Sequence, residues 1–139
     1  MRMTFINPES LAAPRGYNNG VLVAGGKLLF VAGQIAWNSE QRIVSDDFIE
    51  QFAQALGNVI AVVRAAGGTA SDIVQLRVYV TDKRAYTTNL KQVGAAYREL
   101  MGRHYPAMAL VEVAALVEDL AQVEIEAIAC LPATTLEAS

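Results

Sequence analysis

The chain has 139 residues, of which 53% are hydrophobic and 18% are charged, with a formal net charge of −3 and an isoelectric point of about 5.1. This length suits one domain, residues 1–139, and the acidic balance argues against binding to nucleic-acid phosphates. The single cysteine, Cys130, excludes an intrachain disulfide, and no apolar stretch resembles a signal peptide or reaches the roughly 20 residues that span a bilayer, so we expect a cytoplasmic protein.

The first elements predicted along the chain are an irregular arm and two strands. Residues 1–16 contain two of the four prolines and predict the arm. Residues 17–24 predict a turn and a short strand. The glycine pair at 25–26 then predicts a tight hairpin turn, which would pair this strand with a buried strand over residues 27–36.

The middle of the chain predicts two helices separated by a strand. Apolar residues recur at three- and four-residue spacing within 46–66, which predicts an amphipathic helix. Residues 73–81 are rich in β-branched and aromatic residues that alternate in character, which predicts a strand. A second helix is predicted over 86–101, and both helices end at glycine.

Two further strands complete the domain. One opens at Pro106 and the other ends at Pro132, after which residues 133–139 predict a frayed tail. The predicted order is β-β-α-β-α-β-β, an α+β domain. Because two helices cover only one face of a sheet while apolar side chains lie on both, we expect the second face to be buried by self-association.

The sequence lacks the residues of most familiar catalytic and cofactor sites. His104 is the only histidine and Cys130 the only cysteine, so neither a nucleophile–histidine triad nor a zinc site is expected. The Gly-Gly-Lys at 25–27 sits at a predicted hairpin turn instead of before a helix, so no phosphate-binding loop is expected. We expect no cofactor. Chemistry would depend on carboxylates, an arginine, tyrosines, backbone amides and ordered water.

Seven segments that fall in order along the chain carry a family resemblance. They are Gly16-Tyr17, FVAGQI at 30–35, Gln51 with residues 55–58, AAGGTASDIVQLRVYVTD at 65–82, Tyr86 with Asn89, YPAMALVEVAAL at 105–116 and VEIEAIA at 123–129. Together they resemble the Rid family, also called YjgF-type proteins, over about residues 16–131. The resemblance implies a chorismate-mutase-like α+β fold with a mixed sheet and two helices packed on one face. It also implies a homotrimer with a central barrel and a cleft between each pair of subunits.

The resemblance implies a chemistry as well. Active members of the family deaminate reactive enamines and imines, such as 2-aminoacrylate, to keto acids and ammonia. A glutamate of the last strand orients the attacking water, and Glu124 matches that position. An arginine of the preceding strand clamps the substrate carboxylate, but Met108 stands there in this chain. Because methionine cannot donate to a carboxylate as arginine does, we interpret the chain as one of an arginine-lacking subgroup.

Further residues are candidates for contacting a ligand alongside Met108. They are Tyr17, Ala32, Trp37, Arg77 and Asn89. Tyr17 and Asn89 hold cleft positions by family resemblance, and Ala32 replaces a serine common in the family. Trp37 follows a strand and is placed to cover a pocket. Arg77 is the candidate replacement cation, although a cross-strand ion pair with Glu112 is the structural interpretation that we favour.

Three functions follow from these residues. The first is hydrolytic deamination of a small enamine or imine, which depends on Glu124. The second is a non-catalytic trimer that holds a small metabolite in an apolar cleft, which depends on Met108 and Ala32. The third, and weakest, is an RNA-directed nuclease, which the acidic charge and single histidine oppose. The expected partners are a small molecule and copies of the same chain, without nucleic acid or membrane.

Overall fold

The computed structural model describes residues 2–133, and it contains six strands, three α-helices and one short 3-10 helix at Ala70–Asp72. The strands are β1 Arg2–Ile6, β2 Gly20–Ala24, β3 Lys27–Gln34, β4 Ile73–Val80, β5 Ala107–Glu112 and β6 Val123–Leu131. The helices are α1 Phe48–Ala65, α2 Lys83–Thr87 and α3 Leu90–Met101. The predicted α+β class is confirmed. Met1 and the predicted tail beyond residue 133 lie outside the described residues.

Four strands form the main sheet in the order β3-β6-β4-β5. β4 and β5 are parallel, whereas the other neighbouring pairs are antiparallel, so the sheet is mixed as predicted. Helices α1 and α3 pack on one face, and side chains alternate between this helix-covered face and the opposite open face. In β6, for example, Val123 and Ile125 are fully buried under the helices while Glu124 and Glu126 lie on the open face.

The N-terminal strands differ from the prediction. Arg2–Ile6 pairs antiparallel with β2 in a separate two-stranded ribbon, so the irregular arm predicted over 1–16 is wrong for these residues. The prolines that suggested it lie at 8 and 14, beyond the strand. The predicted β2–β3 hairpin is also wrong. The chain does turn at Gly25 and Gly26, whose φ angles are 76° and 88°, but β2 pairs with β1 while β3 pairs with β6.

The second predicted helix is divided into α2 and α3. Asp82 caps α2 by accepting a hydrogen bond from the backbone N–H of Arg84. The break follows at Thr88 and Asn89, whose side chains donate to the carbonyl oxygens of Arg84 and Ala85 at 2.5 and 2.9 Å. Such side-chain hydrogen bonds compete with the backbone hydrogen bonds that would continue the helix. The apolar spacing does not contain this information, so it predicted a single helix.

The start of β6 is held in place by a buried glutamine. Gln51 of α1 is fully buried, and its amide donates to the carbonyls of Ser45 and Leu120 at 2.8 and 3.0 Å. Its side-chain oxygen accepts from the backbone N–H of Gln122 at 2.8 Å. These bonds join helix α1 to the residues just before β6, so they position the strand that contains Glu124. Among residues 2–133, no helix has the length and apolarity to cross a membrane.

Candidate functional site

The seven predicted site residues do not form one cluster. Ala32, Arg77 and Glu124 lie on the open face of the main sheet. Met108 lies on the helix-covered face, because the parallel register places it beside the buried Leu76. The remaining candidates, Tyr17, Asn89 and Trp37, lie in loops or at a helix start.

Glu124 is a half-buried carboxylate that packs on a glycine. A side-chain carbon added at Gly33 would overlap the Glu124 carboxylate, so glycine at position 33 lets the carboxylate occupy this position. Within the described part of the chain, no backbone or side-chain group hydrogen-bonds Glu124. Its oxygens are therefore free to accept from water or from a ligand.

Glu126, two residues further along β6, has a different environment. The Tyr79 hydroxyl donates to its Oε1 at 2.5 Å, and Nη1 of Arg77 lies 3.6 Å from the same oxygen. The hydrogen bond to Glu126 is the main cause that raises the pKa of Tyr79 above its ordinary value, followed by burial and the carboxylate charge. Glu126 is thus a partnered carboxylate beside a free one.

The predicted ion pair between Arg77 and Glu112 is wrong. The parallel register places Arg77 opposite Ala109 of β5, and Glu112 is three residues further along that strand. Arg77 instead lies opposite Glu126 of β6, and Glu112 accepts a hydrogen bond from the backbone N–H of Lys83 at 3.0 Å. The charge of Arg77 is therefore partly neutralised on the open face.

The open face contains a concavity of about 480 Å³ beside this pair. It is lined by Phe30, Val31, Ala32, Gln75, Arg77, Glu126, Ala127 and Ile128. Phe30 is 70% exposed, so an apolar shelf adjoins the charged groups. A shelf of this kind is suited to contact with another molecule.

A second cavity, of about 250 Å³, lies between helix α3 and strand β5, and we call it the α3–β5 pocket. It is lined by Gly16, Tyr86, Leu90, Gly94, Tyr97, Arg98, Tyr105 and Met108. The Tyr97 and Tyr105 rings stack with centroids 5.3 Å apart, and the Tyr97 hydroxyl donates to the His104 carbonyl at 2.6 Å. Burial is the main cause that raises the pKa of Tyr97.

Two of the loop candidates lie near this pocket. The backbone N–H and side-chain amide of Asn18 donate to the carbonyls of Pro106 and Tyr105, which holds the Gly16-Tyr17 turn beside it. Asn89 stands at the start of α3, next to Leu90, but its amide donates to the Ala85 carbonyl at 2.9 Å and is occupied there.

Trp37 belongs to a third region. It lines a groove of about 420 Å³ with Gln34 and Asn58, and this groove shares no lining residue with the other two cavities. Its carbonyl accepts from the Asn58 amide at 2.9 Å. The structure therefore does not bring Trp37 together with Met108.

Sequence reasoning missed Arg98, Tyr86 and Tyr105 as residues of the α3–β5 pocket. On the open face it missed Tyr79 and assigned no role to Glu126. One signal was present for the pocket: Gly94 interrupts a helix and is followed by Arg98 one turn later. The tyrosines gave no comparable signal.

The two groups that the predicted chemistry requires lie apart within one chain. Glu124 lies on β6, beside edge strand β3, and on the open face. Met108 lies on β5, the opposite edge strand, on the helix-covered face, and β4 separates the two strands. One copy of the chain cannot place both positions against the same small ligand.

The described residues provide no cluster suited to a metal. Within 2–133, no three His, Cys, Asp or Glu side chains converge on one point. A ring nitrogen of His104, Nε2, lies 2.6 Å from the Ile73 carbonyl oxygen, and the Cys130 thiol is buried and donates to the Gly25 carbonyl. Both side chains are therefore occupied in the fold.

Comparison with known sequences gives matches over nearly the whole chain. A family model described as Endoribonuclease L-PSP matches residues 8–131. The 2-iminobutanoate/2-iminopropanoate deaminase of Escherichia coli (strain K12) is 37% identical over 132 residues, which cover 93% of this chain and 98% of that protein. A RutC family protein of Haemophilus influenzae is 38% identical over 104 residues, which cover 75% of this chain and 79% of that protein.

Solved structures match over a similar extent. YyfB from Yersinia pestis, a protein of the conserved Rid protein family, has a TM-score of 0.84 at 35% identity and covers 94% of this chain and 100% of its own. The YjgF gene product of Escherichia coli has a TM-score of 0.64 at 36% identity and covers 91% and 98%. Both likenesses therefore extend over more than nine-tenths of this chain.

Proposed function

The chain belongs to the Rid (YjgF-type) family, whose family model is described as Endoribonuclease L-PSP, and on that premise we propose that it hydrolytically deaminates small reactive imines and enamines. The family assignment and the chorismate-mutase-like α+β fold agree with the sequence prediction. At family level the chain is RidA-like, with relatives named as iminobutanoate deaminases and as a reactive intermediate deaminase.

The observation that carries the proposal is the free carboxylate of Glu124. It packs on Gly33, is half-buried, and has no protein hydrogen bond within residues 2–133. A general base must reach a water molecule without being occupied by a stronger partner. Its neighbour Glu126 is engaged by Tyr79 and Arg77, so of these two carboxylates only Glu124 is available.

The proposed reaction adds water across the C=N bond of a 2-imino acid. Glu124 accepts a proton from water as the oxygen attacks the imine carbon, which gives a tetrahedral carbinolamine. Glu124 delivers this proton to the nitrogen, which becomes an amino group. The hydroxyl proton of the carbinolamine then moves to that amino group, the C–N bond breaks, and ammonia leaves as the keto group forms. The sum is one imino acid and one water consumed, with one keto acid and one ammonia released. An enamine enters the same sequence after tautomerising to the imine.

We propose that the complete site forms between copies of the chain in a homotrimer. Glu124 lies near edge strand β3 and Met108 on edge strand β5, at opposite edges of the sheet. In a ring of copies with head-to-tail contacts, the β3 edge of one copy meets the β5 edge of the next. Such a ring would also cover the open face, where Phe30 and Leu28 are 70% and 63% exposed.

A non-catalytic metabolite-binding trimer is the second candidate, and the position of Met108 favours it. Met108 offers no donor to a substrate carboxylate, so an unaided family site would lose much of its affinity for imino acids. The nuclease alternative has less support: the chain has a formal charge of −3, and its one histidine bonds to a backbone carbonyl.

The test is a deaminase assay with substrates generated in situ. 2-Aminoacrylate and bulkier imino acids are formed in the presence of the protein, and keto-acid release is compared with the spontaneous rate. We expect acceleration by the wild type and a loss of about 100- to 10,000-fold in Glu124→Ala, the range of general acid–base catalysis. Glu126→Gln is the matched control, since it changes the neighbouring carboxylate on the same face.

Wild-type rates no faster than the spontaneous reaction for every imino acid would exclude the deaminase proposal and leave the binding protein. Equal losses in the Glu124 and Glu126 variants would exclude Glu124 as the particular base. Light scattering of the same preparations tests the trimer independently, because a monomer at assay concentration contradicts a shared site.

A further inference from the structure

Arg98 brings a free cation into the α3–β5 pocket. It lies in the last turn of α3 and lines the pocket together with Met108. Across the described ranges, it makes no ion pair and no hydrogen bond from its guanidinium. An unpartnered arginine beside the position where the family resemblance places its carboxylate clamp calls for a physical explanation.

Gly94 accounts for the direction of the Arg98 side chain. A Cβ at position 94 would lie 3.2 Å from Nη1 of Arg98, so the guanidinium lies one turn back, over the bare backbone of the glycine. Helical side chains lean toward the helix N-terminus, which makes this the natural direction. A glycine inside a helix costs about 1 kcal/mol relative to alanine. A cation in the last turn also interacts favourably with the helix dipole. That interaction does not need glycine at position 94, so it does not explain why the glycine is there.

The rest of the pocket lining combines aliphatic side chains with tyrosines, whose rings are apolar and whose hydroxyls are polar. Tyr86, Tyr105 and Met108 contribute to its lining, and Leu90 is 57% exposed at its mouth. The volume, about 250 Å³, lies below the range of roughly 300–1,000 Å³ that is usual for drug-sized ligands. The pocket therefore suits a small molecule with one anionic end and an apolar body.

Arg77, the cation predicted from sequence, does not serve this pocket. It lies on the open face, 3.6 Å from Glu126, whereas no carboxylate lies among the residues that line the α3–β5 pocket. The two arginines thus differ in location, and only the charge of Arg77 is offset by a neighbouring carboxylate.

We propose that Arg98 binds the carboxylate of the ligand, in place of a residue at position 108, and that the ligand is a 2-keto or 2-imino acid with a branched aliphatic or aromatic side chain. The guanidinium comes from a helix instead of a strand, which leaves the Met108 side of the pocket to the apolar body. The reactive-group assignment rests on the proposed deaminase function, but binding of the carboxylate does not.

The experiment measures binding by isothermal titration calorimetry with two probes. These are 4-methyl-2-oxopentanoate and 4-methylpentan-2-one, which differ only in the carboxylate. We expect Arg98→Met to weaken binding of the keto acid by about tenfold to a hundredfold, which is the contribution of a charged hydrogen bond. Binding of the ketone should be unchanged. The affinity of Arg98→Lys for the keto acid should lie between those of the wild type and Arg98→Met, because lysine retains the charge but cannot form the bidentate hydrogen bond.

Matched controls separate a ligand contact from a general effect of charge. Arg103→Met removes an exposed arginine just beyond α3, outside the pocket lining, and should bind the keto acid as the wild type does. Gly94→Ala should weaken binding of the keto acid, because the added methyl group displaces the Arg98 guanidinium. Gly57→Ala, whose added carbon meets nothing within 4 Å, should leave binding unchanged.

A swap gives a second route to the answer. In the Arg98→Met background, Met108→Arg returns a guanidinium to the same pocket and should recover most of the lost affinity for the keto acid. Recovery would show that both positions reach one carboxylate site.

Three results would overturn the proposal: wild-type affinity in Arg98→Met, equal loss of both probes, or a selective loss in Arg77→Met instead. The outcome is separable from the deaminase test, since the keto acid is not turned over. Binding that depends on Arg98 without any turnover would uphold this inference and remove the deaminase function. Turnover that is unchanged in Arg98→Met would uphold the deaminase function and exclude Arg98 as the residue that binds the carboxylate.

Discussion

The open face of the main sheet and the α3–β5 pocket each contain a charged group that has no hydrogen-bond or ion-pair partner among residues 2–133, and the two charges have opposite sign. On the open face, Glu124 is free while Glu126 is engaged by Arg77 and Tyr79. In the pocket, Arg98 is free and no carboxylate lines the cavity. The proposed deamination requires both groups on one ligand, so it also requires the open face of one copy to meet the pocket of another.

Mixing two inactive variants would test whether the faces of neighbouring copies cooperate. Glu124→Ala lacks the base and Arg98→Met lacks the cation, so each alone should be strongly impaired. In co-expressed mixtures, about a quarter of the contacts in a head-to-tail ring would combine an intact Glu124 with an intact Arg98. We therefore expect keto-acid release to recover toward about a quarter of the wild-type rate. No recovery in mixed oligomers would contradict a site shared between copies.

Filling the space under Glu124 tests the open face alone. Gly33→Ala places a carbon against the carboxylate, which is the far end of a flexible side chain and can move aside. We expect turnover to fall by about tenfold to a hundredfold, as a misplacement of about 1 Å does, with little change in keto-acid affinity. Gly57→Ala is the control, and it should raise the free energy of unfolding by roughly 0.5–1 kcal/mol without altering turnover. Unchanged turnover in Gly33→Ala would argue against Glu124 as the base.

The tyrosine that supports the pocket predicts a pH dependence of stability. Burial raises the pKa of Tyr97 above the ordinary 10.0, so above pH 10 the unfolded chain has released a proton that the folded chain still holds. This contribution to stability is complete below pH 10 and is lost as pH rises, at up to about 1.4 kcal/mol per pH unit. Tyr97→Phe should start about 1 kcal/mol less stable, having lost its bond to His104, but decline less steeply. Urea unfolding of both proteins at pH 8 and pH 10.5 measures the initial difference in stability and its change with pH. An equal loss of stability in the two proteins would contradict a raised pKa at Tyr97.

The tyrosine on the open face should respond to a different change. The pKa of Tyr79 is raised first by its hydrogen bond to Glu126 and only then by burial. Glu126→Gln should therefore lower the pKa of Tyr79, whereas the pKa of Tyr97 should not move. Phenolate absorbance, with Tyr79→Phe and Tyr97→Phe to assign the transitions, distinguishes the two. A pKa of Tyr79 that is unaffected by Glu126→Gln would mean that burial dominates on both faces.

Local patterns predicted the parts of the molecule that depend on local geometry. The three- and four-residue apolar spacing predicted α1, because that spacing aligns side chains on one helix face. Strand alternation explains why Glu124 and Glu126 share one face of β6, because successive side chains of a strand point to opposite sides. The ordered motifs predicted the family, since they extend over nearly the whole chain.

The candidate site was only partly predictable because its geometry depends on strand register. The expected pair of Arg77 with Glu112 failed by three residues along β5, a shift that no local pattern encodes. The resemblance implied that Met108 and Glu124 share a cleft between subunits, and this stays a prediction, because within one chain they lie on opposite faces with β4 between their strands. The roles of Tyr17, Ala32, Trp37 and Asn89 in binding remain predictions.

The sequence alone predicted the elements from β2 to β6, apart from the division between α2 and α3, together with the family and the unusual residue Met108. Only the tertiary structure decided that β1 joins β2 in a ribbon, that Glu126 partners Arg77, and that Arg98 stands beside Met108. The physical reason is that hydrophobic period and turn chemistry act over a few residues. Contacts between segments far apart in the chain are selected by packing and register across the whole sheet.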